Sequence, residues 1–219
     1  MGGVLVSDFD GTMTRRDFFQ IFLERFKPSG ASGFWDEYLK GRITHFEALR
    51  SIFESVAPGE PALVEVVGAM ELDPDLAEEY RALERSDWRV IVASAGSDWY
   101  IRRLLDEARV DPELHANLGR IVNGRLVMEL PTDSRYFSAE VGIDKSAVVR
   151  AAILEGGTVA FAGDGKPDLA ASLLVPEHLR FARGVLAEEL TSLGETYHRF
   201  DRWTDISRAL RSWSGLASK

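Results

Sequence analysis

Two aspartates two residues apart, Asp8 and Asp10, follow the apolar, β-prone run Val4-Leu5-Val6 and precede Gly11-Thr12. Such a run reads as a strand buried on both faces, and the glycine permits a sharp exit from it. Acids at the tip of a buried strand call for positive charge nearby, because an unpaired buried charge is costly. In open α/β sheets the ligand crevice lies at the carboxyl ends of the strands, where both carboxylates can meet Mg2+ and a phosphate. Further along, Ser94-Ala95-Gly96 ends a second apolar run, Lys145 opens a helical pattern, and Gly163-Asp164-Gly165-Lys166-Pro167-Asp168 ends a third apolar run, Thr158 to Ala162. Each has a plainer reading when taken alone. Ser94 can simply end a strand while Ser97 or Asp98 caps the next helix, and Lys145 can be a solvated surface lysine.

Together, in this order, the four stretches resemble the motifs of the haloacid dehalogenase superfamily of phosphohydrolases. Asp8 to Thr12 is similar to its DxDGT motif and Gly163 to Asp168 to its GDxxxD motif. The resemblance implies that Asp8 attacks phosphorus and that Asp10 acts as acid and base, with its side chain free for proton transfer. It implies that Ser94 and the Ala95 and Gly96 amides bind phosphoryl oxygens, and that Lys145 offsets charge between nucleophile and phosphate. The metal would be Mg2+, held by the Asp8 side chain, the Asp10 backbone carbonyl and Asp164, with Asp168 orienting its surroundings. Chemically the set is coherent: a carboxylate can form a covalent phosphoryl intermediate, and Mg2+ is usually held by one or two carboxylates plus phosphate and water. Pro167 departs from the Asn often found there in phosphoserine phosphatases, which puts any polar contact from that position in doubt.

The elements that must position these residues follow from periodicity. Phe18, Phe22 and Phe26 recur at helical spacing from about Asp17, and Pro28 to Gly33 breaks that helix. Helices follow over Trp35 to Leu39, Thr44 to Val56, through Val64, Val67 and Met70, and from Asp73-Pro74 through Leu83. Little between Thr14 and about Leu72 reads as strand. Trp88 to Ser94 is a second strand, a helix follows from Asp98 to Arg109, and Arg120-Ile121-Val122, Asn123-Gly124, Arg125 to Met128 reads as a hairpin. A helix from Lys145 ends at Gly156-Gly157, and after the third strand come a helix through Ala171 and Leu174, a strand at Leu179 to Ala182, the segment Val185 to Leu190, a short run at Tyr197 to Phe200 and a helix from Thr204. Strands alternating with helices predict a parallel sheet. The fold class is therefore α/β: a Rossmann-like parallel sheet core, residues 1–14 and 73–219, with a helical cap, 15–72, inserted after the first strand.

The chain has 219 residues, a formal net charge of −9 and no cysteine. That charge disfavours a nucleic-acid partner, whose binding relies on Lys and Arg neutralising phosphates, and argues weakly against anionic membranes. The absence of cysteine removes disulfides and thiol nucleophiles. No apolar run is long enough to span a bilayer, and the N-terminus enters a strand without a signal-peptide pattern, so a cytoplasmic protein is expected. The four histidines, His45, His115, His178 and His198, form no metal-spaced pair and read as surface or core residues.

A helical insertion between the first two motifs resembles the cap of the phosphoserine phosphatase-like branch. The segment Gly41 to Arg50 looks like the cap stretch whose arginine holds the substrate carboxylate, which makes Arg50 a candidate, with Asp17 as the acid just after the first motif. Phe181-Ala182-Arg183-Gly184 instead resembles the methionine-salvage phosphatases, which act on a phosphorylated methylthio-ketone enol. The cap aromatics Phe18, Phe22, Trp35 and Phe46 are expected in the cap's own core. The resulting expectation is an Mg2+-dependent phosphomonoesterase for a small phosphorylated metabolite of the salvage type, with phosphoserine second, and a phosphotransferase or a non-catalytic relative that binds a phosphorylated ligand behind these.

Overall fold

In the computed structural model, which describes residues 2–214, the first strand, β1 (Gly3–Ser7), is followed by four helices: α1 (Phe18–Phe26), α2 (Ala31–Leu39), α3 (His45–Glu54) and α4 (Glu60–Gly68). Then come α5 (Leu76–Arg85), β2 (Trp88–Ser97), α6 (Asp98–Ala108), β3 (Glu113–Val122) and β4 (Arg125–Glu129). A two-stranded ribbon, β5 (Phe137–Ser138) and β6 (Gly142–Ile143), leads to α7 (Lys145–Glu155) and β7 (Thr158–Gly163). The chain closes with α8 (Leu169–Ser172), β8 (Arg180–Ala182), α9 (Gly184–Ser192), β9 (His198–Arg199) and α10 (Trp203–Ser214).

The seven-stranded sheet has the order β4-β3-β2-β1-β7-β8-β9. Every pairing is parallel except β3 with β4, the predicted hairpin. Asn123 and Gly124 both have positive φ, 49° and 76°, as a two-residue type I′ turn requires. Register aligns Val6 with Ile91 on one side and Phe161 on the other, so β1, β2 and β7 run side by side toward a common edge. Alternation along β1 divides the core. Val4 and Val6 join Ile91, Phe161 and residues of α7 and α9 on one face. Leu5 joins Val90, Val92 and residues of α5, α6 and α10 on the other. That second cluster runs without interruption into Phe18, Phe22, Ile52, Leu63 and Val67 of the inserted helices.

The two chain crossings into and out of the insertion lie side by side. Thr14 and Leu72 form an isolated antiparallel bridge, and the Arg15 and Arg16 amides donate to the Glu71 and Met70 carbonyls, each at 3.0 Å. Arg183, from the FARG run, donates to the carbonyls of Thr14 and Asp201 at 2.8 Å each. Asp73 accepts from the Thr204 amide and hydroxyl at 2.9 and 2.8 Å and from Arg202 at 2.5 Å. A second tie sits at the hairpin tip, where the Gly59 amide donates to the Gly124 carbonyl at 3.0 Å.

Several boundaries differ from the sequence expectation: β2 runs on to Ser97, β3 starts already at Glu113, and α8 ends at Ser172. Helix α2 starts at Ala31 rather than Trp35, because Gly30 takes a left-handed conformation (φ 87°) and starts the helix directly. Helix α5 starts at Leu76 rather than at Asp73-Pro74, since the Asp73 carboxylate is committed to Thr204 and Arg202. Strands β5 and β6 were not anticipated; two residues each are too few to carry a period. Among the described residues no helix is long and apolar enough to cross a membrane.

Candidate functional site

Asp8 leaves β1 with its amide donating to the Ala162 carbonyl of β7 at 2.9 Å, which carries the β1–β7 pairing one residue past the strand. Lys145, the first residue of α7, reaches the same point because Asp144 caps that helix, accepting from the Ala147 amide at 3.1 Å. The Lys145 ammonium lies 2.7 Å from Asp8 Oδ1 and 2.5 Å from Asp168 Oδ1, and all three side chains are buried. The other Asp168 oxygen accepts from the Asp164 and Gly165 amides at 3.1 and 2.9 Å. Asp168 thus fixes both the lysine and the loop that carries Asp164.

Asp10 is held rather than free. Its Oδ1 accepts from the Phe18 amide at 3.0 Å, at the start of α1, and its Oδ2 from the Tyr100 hydroxyl at 2.8 Å. The Tyr100 ring is stacked on Phe18 at 4.3 Å between centroids. The Ser94 hydroxyl accepts from the Gly96 amide at 2.9 Å, within the stretch of β2 between Ala93 and Ser97 where its register with β3 shifts. Two glycines permit the close approach. A Cβ on Gly11, whose φ is 63°, would stand 2.1 Å from Asp164 Oδ2; one on Gly96 would stand 1.8 Å from the Tyr100 oxygen.

This crowding of acids moves their proton affinities. Burial, then the Asp168 charge, push Asp8 up to about 7 against the pull of Lys145. Burial, then Asp8 and Asp168, push Asp164 up to about 9. Burial, then Asp17 and Asp8, raise Asp10 well above the usual carboxylate range. For Lys145 burial acts downward, but Asp168 and Asp8 outweigh it, so its affinity for its proton is raised and it stays cationic. Oxygens of Asp8, Asp164 and Asp168 lie within 4.8 Å of one another. Asp168 is tied to Lys145 and two loop amides, whereas Asp8 and Asp164 converge with their proton affinities raised first by burial and then by the neighbouring like charges. Those features fit a hard divalent cation such as Mg2+.

A cavity of about 340 Å³ collects Asp8, Asp10, Asp17, Ser94, Ala95, Gly96, Lys145, Asp164 and Asp168 in one lining. Asp17 also caps α1, accepting from the Gln20 amide at 3.0 Å. Pro167 lines the cavity as well, at the short turn that brings Asp168 back under the loop. Arg50 is absent from that lining. Its guanidinium lies 5.9 Å from the centre of the Phe46 ring and 3.9 Å from Glu54, on a half-exposed face of α3. The face of α3 in the lining is His45, Leu49 and Phe53, set one residue around the helix from Phe46, Arg50 and Glu54.

The cap helices add further residues to the lining, among them Trp35, which also packs against the core. His45 stands in the cavity wall, where burial, then the Lys145 charge, push its imidazole down to about 4. Phe19 and Trp35 line the cavity too, while Phe18, Phe22 and Phe46 are buried in the core as expected. Sequence reasoning missed Tyr100, Gln20, Leu49 and Phe53 as lining residues. The four-residue spacing of His45, Leu49 and Phe53 was the available signal for that helix face; nothing local marked Tyr100.

A family model described as haloacid dehalogenase-like hydrolase matches residues 5–172. The chain is 22% identical over 207 residues to the 2-hydroxy-3-keto-5-methylthiopentenyl-1-phosphate phosphatase of Bacillus pumilus, covering 93% of this chain and 88% of that one. It is 27% identical over 222 residues to Pdp3-interacting factor 1 of Schizosaccharomyces pombe, covering 94% and 93%. Among solved structures, a probable phosphoserine phosphatase from Vibrio cholerae superposes with a TM-score of 0.71 at 18% identity, covering all of this chain and 66% of that one. At that identity the likeness is one of fold.

Proposed function

The chain belongs to the haloacid dehalogenase-like hydrolase family, and we propose that it is an Mg2+-dependent phosphomonoesterase working through an aspartyl-phosphate on Asp8. The observation that carries this reading is the Lys145 ammonium 2.7 Å from Asp8 Oδ1, with Asp164 converging on the same point. Lys145 occupies one oxygen of Asp8, leaving the other to attack phosphorus. As that bond forms, the ester P–O bond breaks and the leaving oxygen takes its proton from Asp10. The raised proton affinity of Asp10 suits it to arrive protonated. In the second half, Asp10 takes a proton from water, the water oxygen attacks phosphorus, and the P–O bond to Asp8 breaks to release inorganic phosphate. Asp8 and Asp164, with the Asp10 carbonyl, would hold Mg2+, which supplies charge neutralisation for the phosphoryl oxygens. Ser94 and the Ala95 and Gly96 amides would bind those oxygens, and Asp168 positions Lys145.

Residues 15–72 act in this reading as a cap on a core of 1–14 and 73–219, closing over the site to exclude water. The substrate is a small phosphorylated metabolite. A salvage-type ester is favoured by the name of the Bacillus pumilus relative and by the aromatic side chains Phe19, Trp35 and Phe53 in the cavity lining. Phosphoserine is second, on the likeness of fold to a probable phosphoserine phosphatase. The test is hydrolysis of p-nitrophenyl phosphate with and without Mg2+, together with acid-quench trapping of a hydroxylamine-labile phosphoryl-enzyme. Hydrolysis that persists without a divalent cation, or a label that survives Asp8→Asn, would rule the mechanism out.

A further inference from the structure

What is attached to the phosphate meets the wall opposite the carboxylates. Helix α3 contributes His45, Leu49 and Phe53 to that wall. Phe19 and Trp35, stacked at 5.1 Å, complete an apolar slot, and Phe53 meets Phe19 edge-on at 6.2 Å. The lining contains a single Lys or Arg, Lys145, and that ammonium is already held between Asp8 and Asp168. Asp17, an acid, stands in the same lining. A carboxylate on the leaving group would find no cation there and a like charge beside it. An uncharged leaving group avoids both costs.

His45 is the polar feature of this wall that the protein leaves unsatisfied. Its Nδ1 is enclosed and has no hydrogen-bond partner, and buried polar atoms in folded proteins are nearly always paired. Trp35 and Tyr38 meet the ring edge-on at 5.9 and 5.3 Å. The start of α3 is anchored as well: the His45 amide donates to Glu140 Oε1 at 3.1 Å and the Phe46 amide to the Glu140 carbonyl at 2.9 Å. The imidazole is uncharged at neutral pH, so it offers one donor and one acceptor. Gln20 also lines the cavity but is exposed to solvent.

We infer that His45 reads the leaving group through a hydrogen bond to a hydroxyl or carbonyl beside the ester, and that the substrates are phosphate esters of uncharged alcohols whose carbon chain lies against Phe19, Trp35 and Phe53. This rests on the phosphomonoesterase reading and narrows its substrate class. The test measures kcat/KM for dihydroxyacetone phosphate, glycerol 3-phosphate, O-phosphoserine and p-nitrophenyl phosphate, each expressed as a ratio to the aryl ester on the same enzyme. Wild type should favour the two esters of uncharged alcohols over phosphoserine by at least about tenfold, the scale set by an unpaired buried charge or hydrogen-bonding group. His45→Ala should lower their ratios by about ten- to a hundredfold, mainly through KM. His45→Asn, which places an amide near the position of Nδ1, should recover most of that loss, as no merely structural role would. Arg50→Ala should leave the ratios unchanged. A preference for phosphoserine that Arg50→Ala abolishes, or ratios that His45→Ala moves by less than about twofold, would overturn the inference. Aryl phosphatase activity that Asp8→Asn removes separates the two readings: if wild type lacks it, both fall, and if it is present with unmoved ratios, only the assignment of His45 falls.

Discussion

Replacing Tyr100 by Phe removes one oxygen and leaves the ring stacked on Phe18 at 4.3 Å. The lost contact is the 2.8 Å hydrogen bond to Asp10 Oδ2, inside a buried site. A hydrogen bond to a charged group contributes about 1.5–3 kcal/mol, so at about 1.4 kcal/mol per tenfold the expected loss is roughly ten- to 150-fold in any step that needs Asp10 in place. That loss should appear in kcat/KM for an alkyl phosphate, whose leaving oxygen needs a proton. It should largely vanish for p-nitrophenyl phosphate, whose leaving group does not. The pH dependence gives a second reading. The Tyr100 hydroxyl donates to the charged form of Asp10 and so opposes the burial that raises its proton affinity. Without it Asp10 holds its proton to higher pH, and the alkaline limb of the alkyl-ester profile moves up. Equal losses with both esters, or an alkaline limb that moves down, would refute the argument that Tyr100 acts through Asp10.

Asp8→Asn should abolish turnover while preserving the thermal unfolding midpoint, and EDTA should silence the wild type until Mg2+ is restored. Asp164→Ala should raise the Mg2+ concentration needed for half-maximal activity or remove activity altogether, whereas Asp10→Asn should cost on the order of 10²–10⁴ in rate at an unchanged Mg2+ requirement. Gly11→Ala should destabilise by about 1–3 kcal/mol through its left-handed backbone and also weaken Mg2+ binding, because its Cβ would lie 2.1 Å from Asp164 Oδ2; titration calorimetry and urea unfolding check the two parts. Stability should fall below about pH 4. Burial acts upward on Asp73 and Glu79, but hydrogen bonds to Asp73 from Thr204, Arg202 and the Asp75 amide, and to Glu79 from Ser207 and Arg208 with the charge of Arg211, hold both below their usual values. Folded affinities lower than unfolded ones give stability that is complete above the unfolded pKa and lost as pH falls through the folded one. Asp73→Asn with Glu79→Gln should flatten that acid slope in circular-dichroism melts.

The carboxylate half of the candidate site, as a grouping of residues, was legible because each of its pieces is local. An apolar run ending in Asp8, Ser94 or Asp164 announces a buried strand and the turn at its tip, and parallel strands of one sheet bring their tips to one edge. The order of elements, the insertion after β1 and the Asn123-Gly124 hairpin were legible for the same reason. The cap wall was not. Periodicity shows that His45, Leu49 and Phe53 share one face of α3 and that Phe46 and Arg50 share another, but it does not show which face looks where. Packing of α3 against α2 and β4, with its first turn held by Glu140, turns the first face inward and leaves Arg50 beside Phe46 and Glu54. The same holds for Tyr100, 90 residues from Asp10 along the chain: a long-range hydrogen bond leaves no trace in either residue's neighbourhood. A sequence carries the orientation of a side chain relative to its own helix, and only the docking of that helix on the rest of the molecule decides what the side chain meets.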